Sequence, residues 1–230
     1  MPRDVGAVVV AAGRGTRVGG APKQYRPIAG VPLVLRALRP FAAHPDVVQV
    51  VLVLPPADAS APPAFLAELR DEGLVVVAGG EERSDSVAAG LAALRQECTV
   101  VLVHDGARPF VDRAVIDGVI RHARAGEGAI AAVPLGDTVK EADAGEPSRV
   151  ARTVPRERLW RAQTPQGFPR ELLVRAHARA ARNGTASTDD ASLVEACGGI
   201  VRLVTDSPRN LKITTAEDFA LAELLAGASA

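Results

Sequence analysis

Short runs of apolar, mostly β-branched residues alternate with amphipathic stretches along the whole chain. The runs Val5–Val10, Val48–Leu54, Leu74–Val77, Val100–Val103, Ala129–Pro134 and Val201–Thr205 read as buried strands. Between them, Leu33–Ala43, Ala64–Asp71, Ser84–Gln96, Arg113–Arg124, Arg170–Arg182 and Asp189–Ala196 carry apolar residues at helical spacing. A last helix over Thr215–Leu225 opens with Thr214-x-x-Glu217, a capping-box pattern. This alternation predicts an α/β fold, a mainly parallel sheet in a three-layer αβα arrangement with helices on both faces. Ligands of such sheets gather beyond the carboxyl ends of the strands.

One region breaks the rhythm. Asp137–Glu141 and Arg149–Val154 alternate with period two, and the turn-rich stretch Ala142–Ser148 joins them. The pattern predicts a β-hairpin arm over about 136–157, polar on both sides. An isolated hairpin is marginal in water. The arm is therefore expected to pack against a partner subunit, against the chain's own sheet, or to act as a lid. No repeat, low-complexity segment or linker interrupts the chain, so a single domain over 1–230 is expected.

Composition narrows the possibilities. An apolar fraction of 47% supports a sizeable core, and 27 basic residues balance 27 acidic ones. Charge balance leaves no global footprint for nucleic acid, so any anion site must be local. Cys98 and Cys197 lie far apart and read as reduced thiols, with a disulfide or metal pair as the alternative. No apolar run approaches the roughly 20 residues of a membrane span. The N-terminal run is short and glycine-interrupted, a first strand and not a signal peptide. A soluble, cytoplasmic protein is expected.

Chemistry concentrates in four places. The first strand delivers Ala11-Ala12-Gly13-Arg14-Gly15-Thr16-Arg17, followed by Pro22-Lys23-Gln24-Tyr25. Glycines let backbone N–H groups approach an anion, and Arg14, Arg17 and Lys23 neutralise it, which suits a nucleoside triphosphate. The spacing is neither that of a P-loop nor that of a dinucleotide fold. A second strand ends in His104-Asp105-Gly106-Ala107-Arg108-Pro109, with Asp105 placed to bind Mg²⁺ beside phosphates or, alternatively, to cap a turn or pair with Arg108. His104 has no second histidine at ligand spacing and reads as structural. Gly79-Gly80-Glu81-Glu82-Arg83-Ser84-Asp85-Ser86 ends a third strand, with Ser84 or Asp85 as N-cap of the next helix and a free helix N-terminus for a polar ligand edge. Thr138, Lys140, Arg156, Thr164 and Lys212 form a scattered cationic and hydroxyl set, able to clamp a second phosphorylated substrate or to serve as solvated surface groups. Thr188-Asp189-Asp190-Ala191-Ser192 reads as a helix start, with the lining of a substrate pocket as an added role it can take, and His44, His122 and His177 as structural or solvent-facing residues.

In this order the motifs resemble one family, 2-C-methyl-D-erythritol 4-phosphate cytidylyltransferase, over Val8 to about Leu225. Pro22-Lys23-Gln24-Tyr25 together with His104-Asp105-x-Ala107-Arg108-Pro109 carries the most specific part of the likeness. Gly79-Gly80-x-x-Arg83-x-x-Ser86, Asp137-Thr138-Val139-Lys140, Thr153-Val154-x-Arg156, Gln163-Thr164-Pro165-Gln166 and Asn210-x-Lys212-Ile213-Thr214 add to it. The resemblance implies a Rossmann-like nucleotidyltransferase fold and Mg²⁺-dependent transfer of CMP from CTP to the phosphate of methylerythritol phosphate. It also implies a homodimer whose hairpin arms clasp each other, with no nucleic-acid or membrane partner. Arg17 and Lys23 would stabilise charge on the α-phosphate, and Asp105 would bind the metal. Ala11, Ala12, Gly13, Gly15, Gly80, Glu81 and Ser86 would line the nucleotide pocket. Arg156 and Lys212 would position the acceptor with Thr138 and Arg108, Thr138 and Arg156 coming from the other subunit.

Two positions depart from the common form of the family. Gly106 stands for an alanine, expected to loosen the backbone beside the metal ligand. Glu81 stands for a frequent aspartate, which puts its ribose or base contact in doubt.

The implied chemistry needs no general base, because a phosphate monoester oxygen is already anionic. It needs two anions held in line with their charge neutralised. A cytidylyltransferase for another polyol phosphate, such as ribitol 5-phosphate, would share the CTP half and differ around Thr138, Arg156, Thr188 and Lys212. A sugar-1-phosphate nucleotidylyltransferase and a nucleotide-sensing module are the remaining alternatives. With only Ala226–Ala230 beyond the last helix, no fused second enzyme is expected.

Overall fold

The computed structural model describes residues 3–13, 22–71, 73–184 and 187–228. In chain order the strands are β1 (Val5–Val10), β2 (Pro27–Ile28), β3 (Val31–Pro32), β4 (Val47–Leu54), β5 (Val75–Ala78), β6 (Val100–Asp105), β7 (Gly128–Pro134), β8 (Val139–Ala142), β9 (Val150–Val154), β10 (Trp160–Pro169) and β11 (Val201–Thr205). The helices are α1 (Leu33–Ala42), α2 (Pro56–Ser60), α3 (Ala67–Asp71), α4 (Arg83–Ala92), α5 (Arg113–Arg124), α6 (Arg170–Asn183), α7 (Asp190–Ala196) and α8 (Ala216–Gly227). Seven strands form one sheet in the order β11-β7-β10-β6-β1-β4-β5. Neighbours are parallel except at β10, which runs antiparallel to both β6 and β7.

Strand alternation splits the core into two layers. Val5, Ala7 and Val9 of β1 face α1 and α5, where Leu38, Phe41, Ile116 and Val119 are buried. Val8 faces the opposite layer, closed by Val87 of α4, Leu173 of α6 and Val194 of α7. This is the expected three-layer arrangement. A smaller cluster joins Ile28 and Leu33 to Ile213 and to Phe219 of α8, tying the C-terminal segment to the region just after Lys23.

Three local expectations shift. The α8 capping box is Thr215 with Asp218, one residue beyond the predicted pair: Asp218 Oδ2 accepts from the Thr215 N–H at 2.8 Å and the Thr214 N–H at 2.7 Å. The N-cap of α4 is Glu82, not Ser84 or Asp85; Asp85 occupies the third helical position and accepts from the Glu82 N–H at 3.1 Å. The polar hairpin comprises β8 and β9, paired with each other in a separate two-stranded sheet and largely exposed.

Strand β10 has no counterpart in the apolar pattern. Its sequence holds two prolines, a glycine and two glutamines, a composition that speaks against a central strand. Pairing with β7 jumps from Ala162↔Ala132 to Gln166↔Ile130, so Gln163, Thr164 and Pro165 bulge out of the ladder. Bulges re-aim side chains beside active sites. This one turns Thr164 toward the end of β6 and Gln163 toward Ser207 and Asn210.

Cys98 is buried, Cys197 is partly buried, and both are free. Among the described residues no helix is long and apolar enough to cross a membrane.

Candidate active site

The carboxyl ends of β1, β5 and β6 open onto a cleft of about 450 Å³ lined by Lys23, Gly80, Ser86, Asp105 and Lys212, among others. Pairing continues one residue past each strand: Ala11 donates to Val53 O at 2.8 Å, Gly79 to Leu54 O at 2.8 Å and Gly106 to Val10 O at 2.8 Å. These bonds fix where the three loops begin. A side chain on Gly79 would place its Cβ 2.5 Å from the Ala12 Cβ and 2.6 Å from the Ser86 Oγ. Glycine there lets the β1 loop and the α4 N-terminus approach across the cleft. Gly106 is equally confined. A Cβ on it would meet the Ala11 Cβ at 2.9 Å, and its N–H is bonded, so the residue permits close approach instead of loosening the backbone.

Asp105 lies at the centre of the charge distribution. Its carboxylate is 3.0 Å from Lys212 Nζ, 3.5 Å from Arg108 Nε and 3.6 Å from Arg83 Nε. Burial alone would raise its pKa, but Lys212, Arg83 and Arg108 together hold it down at about 2. The main chain is fixed by a relay through the bulge. The Asp105 N–H donates to Thr164 Oγ1 at 3.0 Å, and that hydroxyl is 3.0 Å from His104 Nδ1. His104 Nε2 lies 2.9 Å from the Arg108 carbonyl, which can only accept. The ring therefore carries its proton on Nε2 and receives the Thr164 hydroxyl at Nδ1. Burial pushes the His104 pKa down to about 4, so the imidazole is neutral at pH 7. It is a brace beneath Asp105 and Arg108, packed on Phe41 with ring centroids 4.8 Å apart.

A second cavity of about 200 Å³ shares Arg83, Asp105 and Lys212 with the first and adds Arg108, Thr188 and Asp189. The two meet at Asp105, leaving room for two ligands on either side of one carboxylate.

The predicted residues divide accordingly. Ala12, Gly13, Lys23, Gly80, Glu81, Ser86, Asp105 and Lys212 line the larger cleft. Arg108 lines the smaller one. Lys23 donates to Ile213 O at 3.0 Å. The Ala11 side chain turns into the core, and its N–H is taken by β4. Thr138 and Arg156 lie on the exposed hairpin and line neither cavity; Arg156 bonds the Gly136 carbonyl. Gly15 and Arg17 lie outside the described residues, as does Arg14.

Arg83 was assigned no part by the sequence, yet it reaches both cavities. Its Nη1 donates to the buried Asp190 at 2.8 Å, and Asp190 also meets His177 Nε2 at 2.9 Å. Burial works against the Arg83 charge, but Asp190 and Asp105 outweigh it and raise its pKa. A signal was present. Arg83 opens α4, where a cation opposes the helix dipole, so its charge must be answered by tertiary partners.

Among the described residues no three His, Cys, Asp or Glu side chains gather as a metal cage. A single ionised carboxylate at the meeting of two anion-sized cavities does suit Mg²⁺, which takes one or two carboxylates and completes its shell with phosphate and water. The donor set fits a cation that arrives with a polyphosphate.

Lys212, Arg108 and Arg83 converging on one carboxylate shared by two cavities suit a protein that holds anionic ligands together. Residues 5–227 match the family described as IspD, 2-C-methyl-D-erythritol 4-phosphate cytidylyltransferase. The chain belongs to this family.

It is 45% identical over 222 residues to 2-C-methyl-D-erythritol 4-phosphate cytidylyltransferase of Pelotomaculum thermopropionicum, covering 95% of this chain and 92% of that protein. It is 48% identical over 227 residues to the bifunctional enzyme IspD/IspF of Desulforudis audaxviator, covering 97% of this chain. It spans only 57% of that bifunctional protein and 56% of the corresponding one from Rhodospirillum rubrum. Among solved structures, 2-C-methyl-D-erythritol 4-phosphate cytidylyltransferase of Thermus thermophilus superposes with a TM-score of 0.79 at 37% identity, covering 96% of this chain and 98% of that one.

Proposed function

We propose that this chain transfers CMP from CTP to the phosphate of 2-C-methyl-D-erythritol 4-phosphate, releasing pyrophosphate, as a step of isoprenoid precursor synthesis. The paired cavities meeting at Asp105, in a chain of this family, carry the reading. An acceptor phosphate oxygen attacks the α-phosphorus, the new P–O bond forms, and the bond to the β-phosphate oxygen breaks with its electron pair. Lys23, with Arg17, neutralises the α-phosphate as charge builds there. Gly80, Glu81 and Ser86 hold the nucleoside end, and Lys212 and Arg108 draw in the acceptor phosphate. Mg²⁺, when bound at Asp105, supplies further neutralisation of the triphosphate.

The reading includes a cytoplasmic homodimer. Two free cysteines suit a reducing compartment. The hairpin makes its own sheet, and Val150 on it is 55% exposed, a surface fit for a second copy. Clasped arms would bring Thr138 and Arg156 to the acceptor cavity of the neighbour.

Two experiments test this. With CTP and Mg²⁺, pyrophosphate release is expected with methylerythritol phosphate and not with ribitol 5-phosphate; the reverse preference would reassign the acceptor. Arg156→Ala and Lys212→Ala chains, each inactive alone, are expected to regain activity when mixed and refolded together, because one site per dimer then has both residues. No recovery would place Arg156 in its own chain's site.

A further inference from the structure

The segment 206–214 is neither helix nor strand, yet it organises the cations of the site. It carries Lys212, its Ile213 carbonyl receives Lys23, and its Asn210 carbonyl receives Arg108 Nη1 at 2.7 Å and Gln163 Nε2 at 3.0 Å. Irregular backbone keeps one shape only if something pins it. At its ends, the Asp206 N–H donates to Ala132 O at 2.9 Å and the Ile213 N–H to Ala107 O at 2.8 Å. In the middle the pin is Asn210, fully buried, whose Nδ2 donates to Thr164 O at 2.9 Å and to Asp206 Oδ2 at 2.6 Å. Both partners can only accept, so the amide nitrogen must face them.

Five buried side-chain atoms lack a hydrogen-bond partner among the described residues, and three of them are here: Gln163 Oε1, Asn210 Oδ1 and Arg108 Nε, the last ion-paired with Asp105 at 3.5 Å. Unsatisfied buried polar atoms are rare in native folds, and a cluster of them calls for a functional reason. We propose that Asn210 is a positioning residue for the acceptor half of the site: it fixes Arg108 through its carbonyl and sets Lys212, two residues on, against Asp105. The bulge of β10 is the anchor, since Thr164 holds the Asp105 N–H with its hydroxyl and the Asn210 amide with its carbonyl. One residue thus joins the carboxylate and the acceptor cations in a single frame.

The inference rests on the acceptor role proposed for Lys212 and Arg108. Its test is Asn210→Asp, which keeps the shape and turns a carboxylate toward two acceptors. We expect KM for the acceptor phosphate to rise at least tenfold while KM for CTP stays within about twofold, a split that general loosening of the fold does not produce. The exchange Asp206→Asn with Asn210→Asp restores the amide–carboxylate pair in reverse and is expected to recover at least half of the lost acceptor affinity on a logarithmic scale. Should Asn210→Asp fail to fold, Asp206→Ala, at a partly exposed residue, reads the same split on a smaller scale. Equal rises in both KM values, an unchanged acceptor KM in a folded variant, or no recovery in the exchange would each overturn the proposal. Wild-type enzyme run alongside on the same acceptor separates this failure from failure of the assigned reaction; if another polyol phosphate is preferred, the split is read on that one.

Discussion

Lys23→Ala lowers kcat by roughly 30- to 1,000-fold and leaves the melting temperature close to that of the parent protein. The residue lies in a single 3-10 turn, Lys23–Tyr25, and its ammonium points into the larger cleft, where it meets the Ile213 carbonyl. Removing a preorganised donor from a developing oxyanion costs about 2–4 kcal/mol in the barrier, and each 1.36 kcal/mol is tenfold in rate. Stability should hardly move. Lys23 is only half-buried. The turn itself is held elsewhere, by the Tyr25 hydroxyl donating to Asp58 Oδ2 at 2.6 Å. Steady-state pyrophosphate release and a thermal melt suffice to check it. Near-normal turnover would falsify the catalytic part assigned to this residue.

Asp105→Asn is the more damaging change, because it fails in two ways. Chemically, it removes the one carboxylate at the meeting of the cavities, and we expect Mg²⁺-dependent CTP binding, read by titration calorimetry, to disappear. Structurally, it leaves Lys212, Arg83 and Arg108 crowded around a neutral amide. Breaking buried ion pairs from one side typically costs about 3–5 kcal/mol. The pH dependence has a definite sign. The Asp105 pKa is held at about 2 in the folded state, below its ordinary value of 3.8. Its contribution is complete above pH 4 and drains away as pH falls from 4 to 2, on the order of 2 kcal/mol in all. In the Asn variant that part of the acid-unfolding profile should flatten. A variant with the parent's metal dependence and the parent's acid profile would assign both duties to another residue.

How far could such residues be identified before the fold was known? Asp105 closes the apolar run of β6, so local pattern places it at a strand end, and strand ends in parallel sheets meet. The same logic brought Gly80 and Ser86 to the cleft. Lys23 lies well beyond β1, in the turn Lys23–Tyr25, and was picked out by its charge and motif. Arg83 escaped because a lone arginine at a helix start looks like surface charge until Asp190 and Asp105 are seen on either side of it. His104 was read as structural from its lack of ligand partners, but the bonds that make it a brace run to Thr164, sixty residues away.

Periodicity of apolar positions is a property of neighbours in sequence, and it was enough for the α/β alternation, the mainly parallel sheet and the polar hairpin, while the family likeness rested on motifs such as Pro22-Lys23-Gln24-Tyr25. Strand β10 lay beyond it. Its prolines and glutamines are tolerated because the bulge lifts Gln163, Thr164 and Pro165 out of the β7 ladder, and that depends on β6 and β7 already standing to either side. The charge state of Asp105, the tautomer of His104 and the pinning of Lys212 by Asn210 share one cause. Each is set by groups distant in sequence and close in space, inside a buried region where an unpaired charge or donor is costly. Only packing brings those groups together, and only then does their chemistry exist.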